Sequence, residues 1–117
     1  MAKRKSNSLK RTIKYLAVCK NPEIISRIIA KSPDNVIKAI CNAALNTAEG
    51  SVILKKKQKQ ILGAHRGLIH ELVQKGESPQ RKKNLLLQKG GSVLGILIPT
   101  ILGAVLTSLG SKLFNGN

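Results

Sequence analysis

The residues in this chain with chemistry to offer are its cations, and they come in runs. Lys3, Arg4, Lys5, Lys10, Arg11 and Lys14 crowd the start, Lys55, Lys56, Lys57 and Lys59 the middle, and Arg81, Lys82 and Lys83 a later stretch. Clustered Lys and Arg neutralise phosphates and release the counterions condensed on them, which makes the attraction steeply salt-dependent and blind to base sequence. These residues are read as a nucleic-acid-binding set. The whole chain carries 21 Lys and Arg against 5 Asp and Glu, a net charge of +16, so a polyanion is the expected class of partner, either nucleic-acid backbone or anionic lipid. Tyr15 and Phe114 are the only aromatics. That is too few for the stacking surfaces that read single strands, and double-stranded DNA becomes the expected ligand.

Other chemistry finds no residues to carry it. The five acids are scattered, no Ser or Cys sits in a nucleophile elbow, and neither His has a carboxylate partner by sequence, so no catalytic residues are assigned and an enzyme is not expected. No cofactor or small-molecule substrate is expected. His65 and His70 stand five apart, off the i, i+4 spacing of a helical metal pair, and no metal site is assigned. Cys19 and Cys41 each fall on an apolar helical stripe and read as reduced core residues. No apolar segment of signal-peptide type follows Met1-Ala2-Lys3-Arg4-Lys5, and this cluster reads instead as a nuclear-import or nucleic-acid-binding arm.

The elements that must position these cations are helical. Residues 1–8 read as a disordered basic arm, and Ser8 as the cap of a helix running to about Cys19. Asn21-Pro22-Glu23 and Ser32-Pro33-Asp34 each supply an N-cap, a first-turn proline and an acid at the positive end of the helix dipole. After each cap the apolar positions recur at helical spacing: Ile24, Ile25, Ile28 and Ile29, then Val36, Ile37, Ile40 and Cys41. Gly50 is placed to end the third helix in a left-handed conformation. A longer helix is expected from Ser51 to about Gln74, with lysines at its N-terminus where the dipole disfavours them, and Gly63 and Gly67 marking a close helix crossing. Ser78-Pro79 starts another, followed by Gln80-Arg81-Lys82-Lys83, a run that suits a minor-groove contact or a phosphorylation site. The fold class is therefore all-α: a small bundle of about five amphipathic basic helices, a glycine hinge, and one apolar C-terminal helix. In domain terms this is an arm at 1–8, a basic helical domain at 9–89, and a hinge with hydrophobic helix at 90–117.

That last helix is unlike anything else in the chain. Between Lys89 and Lys112 lie 22 residues without a charge, long enough for a membrane-spanning candidate. Gly95, Pro99, Gly103 and Thr107 recur at every fourth position and form a small-residue ridge suited to close helix packing. Two readings stay open: the segment inserts into a membrane or meets a hydrophobic partner, or it is a core helix around which the basic helices fold.

Gly90-Gly91, Ile96-Leu97-Ile98-Pro99-Thr100-Ile101 and Gly103-Ala104-Val105 carry a resemblance. This part of the chain, about 25 residues, resembles the C-terminal portion of the mu core-peptide precursor of adenoviruses. The plan of basic helices, Lys-Gly-Gly hinge and apolar tail is similar to that of small virion proteins of Maverick/Polinton elements. The resemblance implies a minor core protein packaged with double-stranded DNA, located in the virion and host nucleus, and cut at Gly90-Gly91 by a viral cysteine protease. Family sites carry an apolar residue two places before the glycine pair, where this chain has Gln88. Its basic part is lysine-rich and helically patterned, which implies a folded head.

The expectation is thus a viral or virus-derived minor core protein that binds duplex DNA non-specifically. Its tail, residues 92–114, would engage capsid proteins, a membrane or its own copies. One alternative is a membrane-active cationic protein, either toxin-like or a penetration factor; another is a soluble helical interaction domain whose last helix is core.

Overall fold

Asn21 opens its helix as the local chemistry dictates, its side-chain oxygen accepting from the backbone N–H of Glu23 at 2.9 Å and of Ile24 at 3.3 Å. The computed structural model describes residues 2–50, 52–89 and 91–109, with side chains described for 8–50, 52–89 and 93–108. Among the described residues there are seven α-helices and no strand. They are α1 (Ala2–Val18), α2 (Pro22–Lys31), α3 (Asp34–Ala48), α4 (Lys56–Ala64), α5 (Arg66–Leu72), α6 (Pro79–Lys89) and α7 (Gly91–Leu109). The all-α expectation is met.

The structure departs from the local expectations at four places. The backbone is already helical at Ala2, where an arm was expected to Ser8. Ser32 does not cap α3. Only two residues separate α2 from α3, and Ser32 is spent closing α2, its N–H donating to the Ile29 carbonyl and its hydroxyl to the Ile28 carbonyl. The long helix expected over 51–74 starts late and breaks in two. Val52 turns into the core, the Ile53 N–H donates to Ser108 Oγ at 3.2 Å, and α4 begins only at Lys56. The break falls at His65 (φ −115°, ψ 28°), between Gly63 and Gly67, each of which weakens a helix interior by about 1 kcal/mol. Those glycines are exposed, and a Cβ on either would meet nothing within 4 Å, so they mark a hinge between helices and not a close crossing. Gly50, by contrast, takes the left-handed conformation expected of it, φ 78°.

The centre of the bundle is α7. Leu94, Leu97, Ile98, Ile101, Leu102 and Val105 have no exposure at all, and α1, α2, α3, α4 and α6 all contact the helix. Ile13 and Leu16 of α1, Ile25 and Ile29 of α2, Ile37 and Ile40 of α3, and Leu86 of α6 complete the same core. Most of the apolar side chains described in the charge-free stretch are therefore covered by the amphipathic helices that precede it, while Ile96 stays exposed. Among the described residues no helix is long and apolar enough to cross a membrane. The small-residue ridge is used at one end. A Cβ on Gly95 would lie 3.1 Å from the Lys20 carbonyl oxygen and 3.3 Å from Pro22 Cδ, whereas one on Gly103 would meet the Ala17 carbonyl at 3.9 Å. Pro99 is half-buried, and Thr107 is exposed with its hydroxyl donating to the Gly103 carbonyl at 2.8 Å.

Candidate nucleic-acid interface

None of the described Lys or Arg side chains is buried, so the surplus charge forms the skin of the molecule. Five acids can neutralise at most five of 21 cations, and the described structure places two of them together. Glu71 and Glu77 line an open groove of about 450 Å³ between α5 and α6, and Glu77 holds Arg81 Nε at 3.0 Å. These two acids thus occupy one flank, while most of the cations lie elsewhere on the surface.

The three cationic runs then separate. On α6 two of the run have partners within the fold: Arg81, itself largely exposed, pairs with Glu77, and the Lys83 ammonium donates to the Ser32 carbonyl at 2.7 Å, with the Ala30 carbonyl at 3.5 Å. These carbonyls stand at the C-terminal end of α2, where a cation meets the negative pole of the helix dipole. Lys82 sits over Cys41 at a cleft of about 210 Å³ shared with Lys38 and Glu77. Burial pushes the Cys41 thiol up to about 11, and the positive charge of Lys82 draws it back only in part. Both Cys19 and Cys41 are free and buried.

On α4 the cations are spread outward. Lys55, Lys56, Lys57 and Lys59 are all exposed over the first turn, where the N–H groups of a helix lack intrahelical partners. The Lys55 N–H itself is taken by Gln58 Oε1 at 2.8 Å. Four ammonium groups gather at the positive pole of a helix, an arrangement that repels itself and that an anion relieves. Lys59 and Arg66 line a shared groove of about 340 Å³, floored by Thr47, Leu54, Leu62 and Ile69. Arg66 was not among the cations singled out by sequence. It shares this groove with Lys59, seven residues earlier.

On α1, Lys10, Arg11 and Lys14 are exposed, while the side chains of Lys3, Arg4 and Lys5 lie outside the described set. Gly90 also lies outside the described residues. Its neighbour Gly91 begins α7, and Leu86 to Lys89 form the last turn of α6 with Leu86 fully buried. A protease cutting there in the folded protein has to unwind that turn. Among the described residues no cluster of His, Cys, Asp or Glu is placed to hold a metal ion.

The fold and the charge together define a small basic all-α bundle built around a buried apolar helix. Comparison of the chain with protein-family models, curated proteins and solved structures returned no match.

Proposed function

We propose that this chain binds the phosphate backbone of double-stranded DNA without sequence preference. The contact is centred on the first turn of α4 and Arg66, with Lys10, Arg11 and Lys14 of α1 adding to it. The observation that carries the reading is the self-repelling lysine cluster at the positive end of α4. Such an arrangement disfavours the isolated fold, and a polyanion compensates it. The resemblance to adenoviral core-peptide precursors supports packaging with DNA as a minor virion component, in the virion and the host nucleus. The burial of α7 favours a one-piece binding module over a basic head with a detachable hydrophobic tail.

Titration of a random-sequence duplex against the full chain across a salt series tests this. Affinity is expected to fall by orders of magnitude between about 50 and 200 mM salt, with little difference between duplexes of different sequence. Replacing Lys55, Lys56, Lys57 and Lys59 by Gln should reduce the slope of log affinity against log salt by about 3 to 4, since each phosphate no longer neutralised removes about 0.9 from it. Salt-insensitive binding, or a slope untouched by the four substitutions, defeats the proposal.

A further inference from the structure

The chain contains two Ser-Pro pairs, Ser32-Pro33 and Ser78-Pro79, and the fold treats them oppositely. Ser32 is 6% exposed, its hydroxyl proton is committed to the Ile28 carbonyl, and its own carbonyl accepts from Lys83. Ser78 closes an exposed stretch in which Gln74, Lys75, Gly76 and Glu77 are likewise exposed. Its oxygen accepts from the Arg81 N–H at 3.2 Å, a bond that uses a lone pair and not the hydroxyl proton. The downstream residues differ as well: Arg81 stands three after Ser78 and Lys82 follows, whereas Ser32 is followed by Asp34 and Asn35.

We propose that Ser78 is a phosphorylation site for a proline-directed serine kinase, and that the phosphate it receives docks on the first turn of α6. Such kinases take a proline directly after the serine, whose missing N–H asks for no partner, and a cation at the third position. Ser78 Oγ attacks the γ-phosphorus of a nucleoside triphosphate held by the kinase. The bond from that phosphorus to the β,γ-bridging oxygen breaks, the nucleoside diphosphate leaves with the electron pair, and the serine proton passes to the kinase's base. Access requires the first turn of α6 to open. Leu86 is the buried residue of that helix, so unwinding 79–81 uncovers no fully buried side chain. Once attached, the phosphate lies at the positive pole of α6 and competes with Glu77 for Arg81.

The experiment uses the folded full-length chain, a proline-directed serine/threonine kinase and ATP, with the modified residue located by mass spectrometry. One phosphate is expected at Ser78 and none at Ser32. Incorporation should vanish in Ser78→Ala, persist in Ser78→Thr, which keeps both cap and acceptor, and drop at least tenfold in Arg81→Ala. If a free peptide of residues 74–84 is modified but the folded chain is not, the fold withholds the site and the proposal falls. Equal labelling of Ser32 overturns it too. Docking is read separately: the phosphorylated protein should melt higher at low salt, with the gain shrinking as salt rises, and an unchanged or lower melting temperature removes that half of the proposal.

Discussion

Single residues in this protein show how one residue type serves opposite ends. Gly95 is needed for space, because a methyl group there would press on the Lys20 carbonyl at 3.1 Å. Gly95→Ala should therefore lower the melting temperature, although alanine is the better helix former. Gly63 and Gly67 have open space, and alanine at either should stabilise by up to about 1 kcal/mol through helix propensity. Denaturant unfolding of the three variants checks the contrast. Lys83 belongs with the structural residues: Lys83→Met should destabilise by about 1 kcal/mol by orphaning the carbonyls at the end of α2, yet leave the salt slope of DNA binding unchanged. The buried Cys41 thiol makes a pH prediction. Its folded value of about 11 lies above the ordinary 9.0, so the folded chain holds the proton more tightly. Its contribution is constant below pH 9 and is lost as pH rises from 9 towards 11. Melting curves of wild type and Cys41→Ala across that window should converge as pH rises.

At the level of elements, α7 decides whether the other helices stay together. Ile98 and Leu97 are fully buried among five neighbouring helices, and truncating either to alanine should cost about 2–5 kcal/mol, enough to threaten a domain of this size. A fragment of residues 1–91 should lose cooperative thermal unfolding, which calorimetry reads directly. Retention of a sharp transition would mean that α1 to α6 form a core without it. The Asn21 cap of α2 and the left-handed Gly50 were legible in the sequence because each depends on a few adjacent residues. The division of α4 from α5 was not, since helix periodicity runs through Gly63 and Gly67 undisturbed, and the loss at His65 is weighed against packing that periodicity does not report.

Over the whole molecule the net charge of +16 sets two opposite responses to salt. Screening relieves self-repulsion within the folded state, so moderate salt should raise the melting temperature of the free protein, while the same salt should weaken the proposed binding to DNA. Duplex added at low salt should raise the melting temperature by mass action, and the rise should disappear at high salt. Parallel melting scans with and without DNA, over one salt series, test both trends. A free protein whose stability falls as salt is added would argue that its cations are held in pairs across the surface.

The amino-acid sequence by itself determined that the chain is helical, that it is a polycation with almost no aromatic surface, and that one charge-free segment of 22 residues is mostly apolar. These are properties of composition and short-range periodicity, set within a turn or two of chain. What covers that segment was left open, because lipid and a ring of amphipathic helices satisfy the same apolar side chains. The tertiary structure decided it by pairing residues distant in sequence, Gly95 against Lys20 and Pro22, and Ile53 against Ser108. It also sorted cations that look alike in sequence. Arg81 and Lys83 are held by Glu77 and by the end of α2, while Lys55, Lys56, Lys57 and Lys59 face outward. Charge is written in the residue, but whether it is spent inside the fold or offered to a partner depends on which helix end lies opposite.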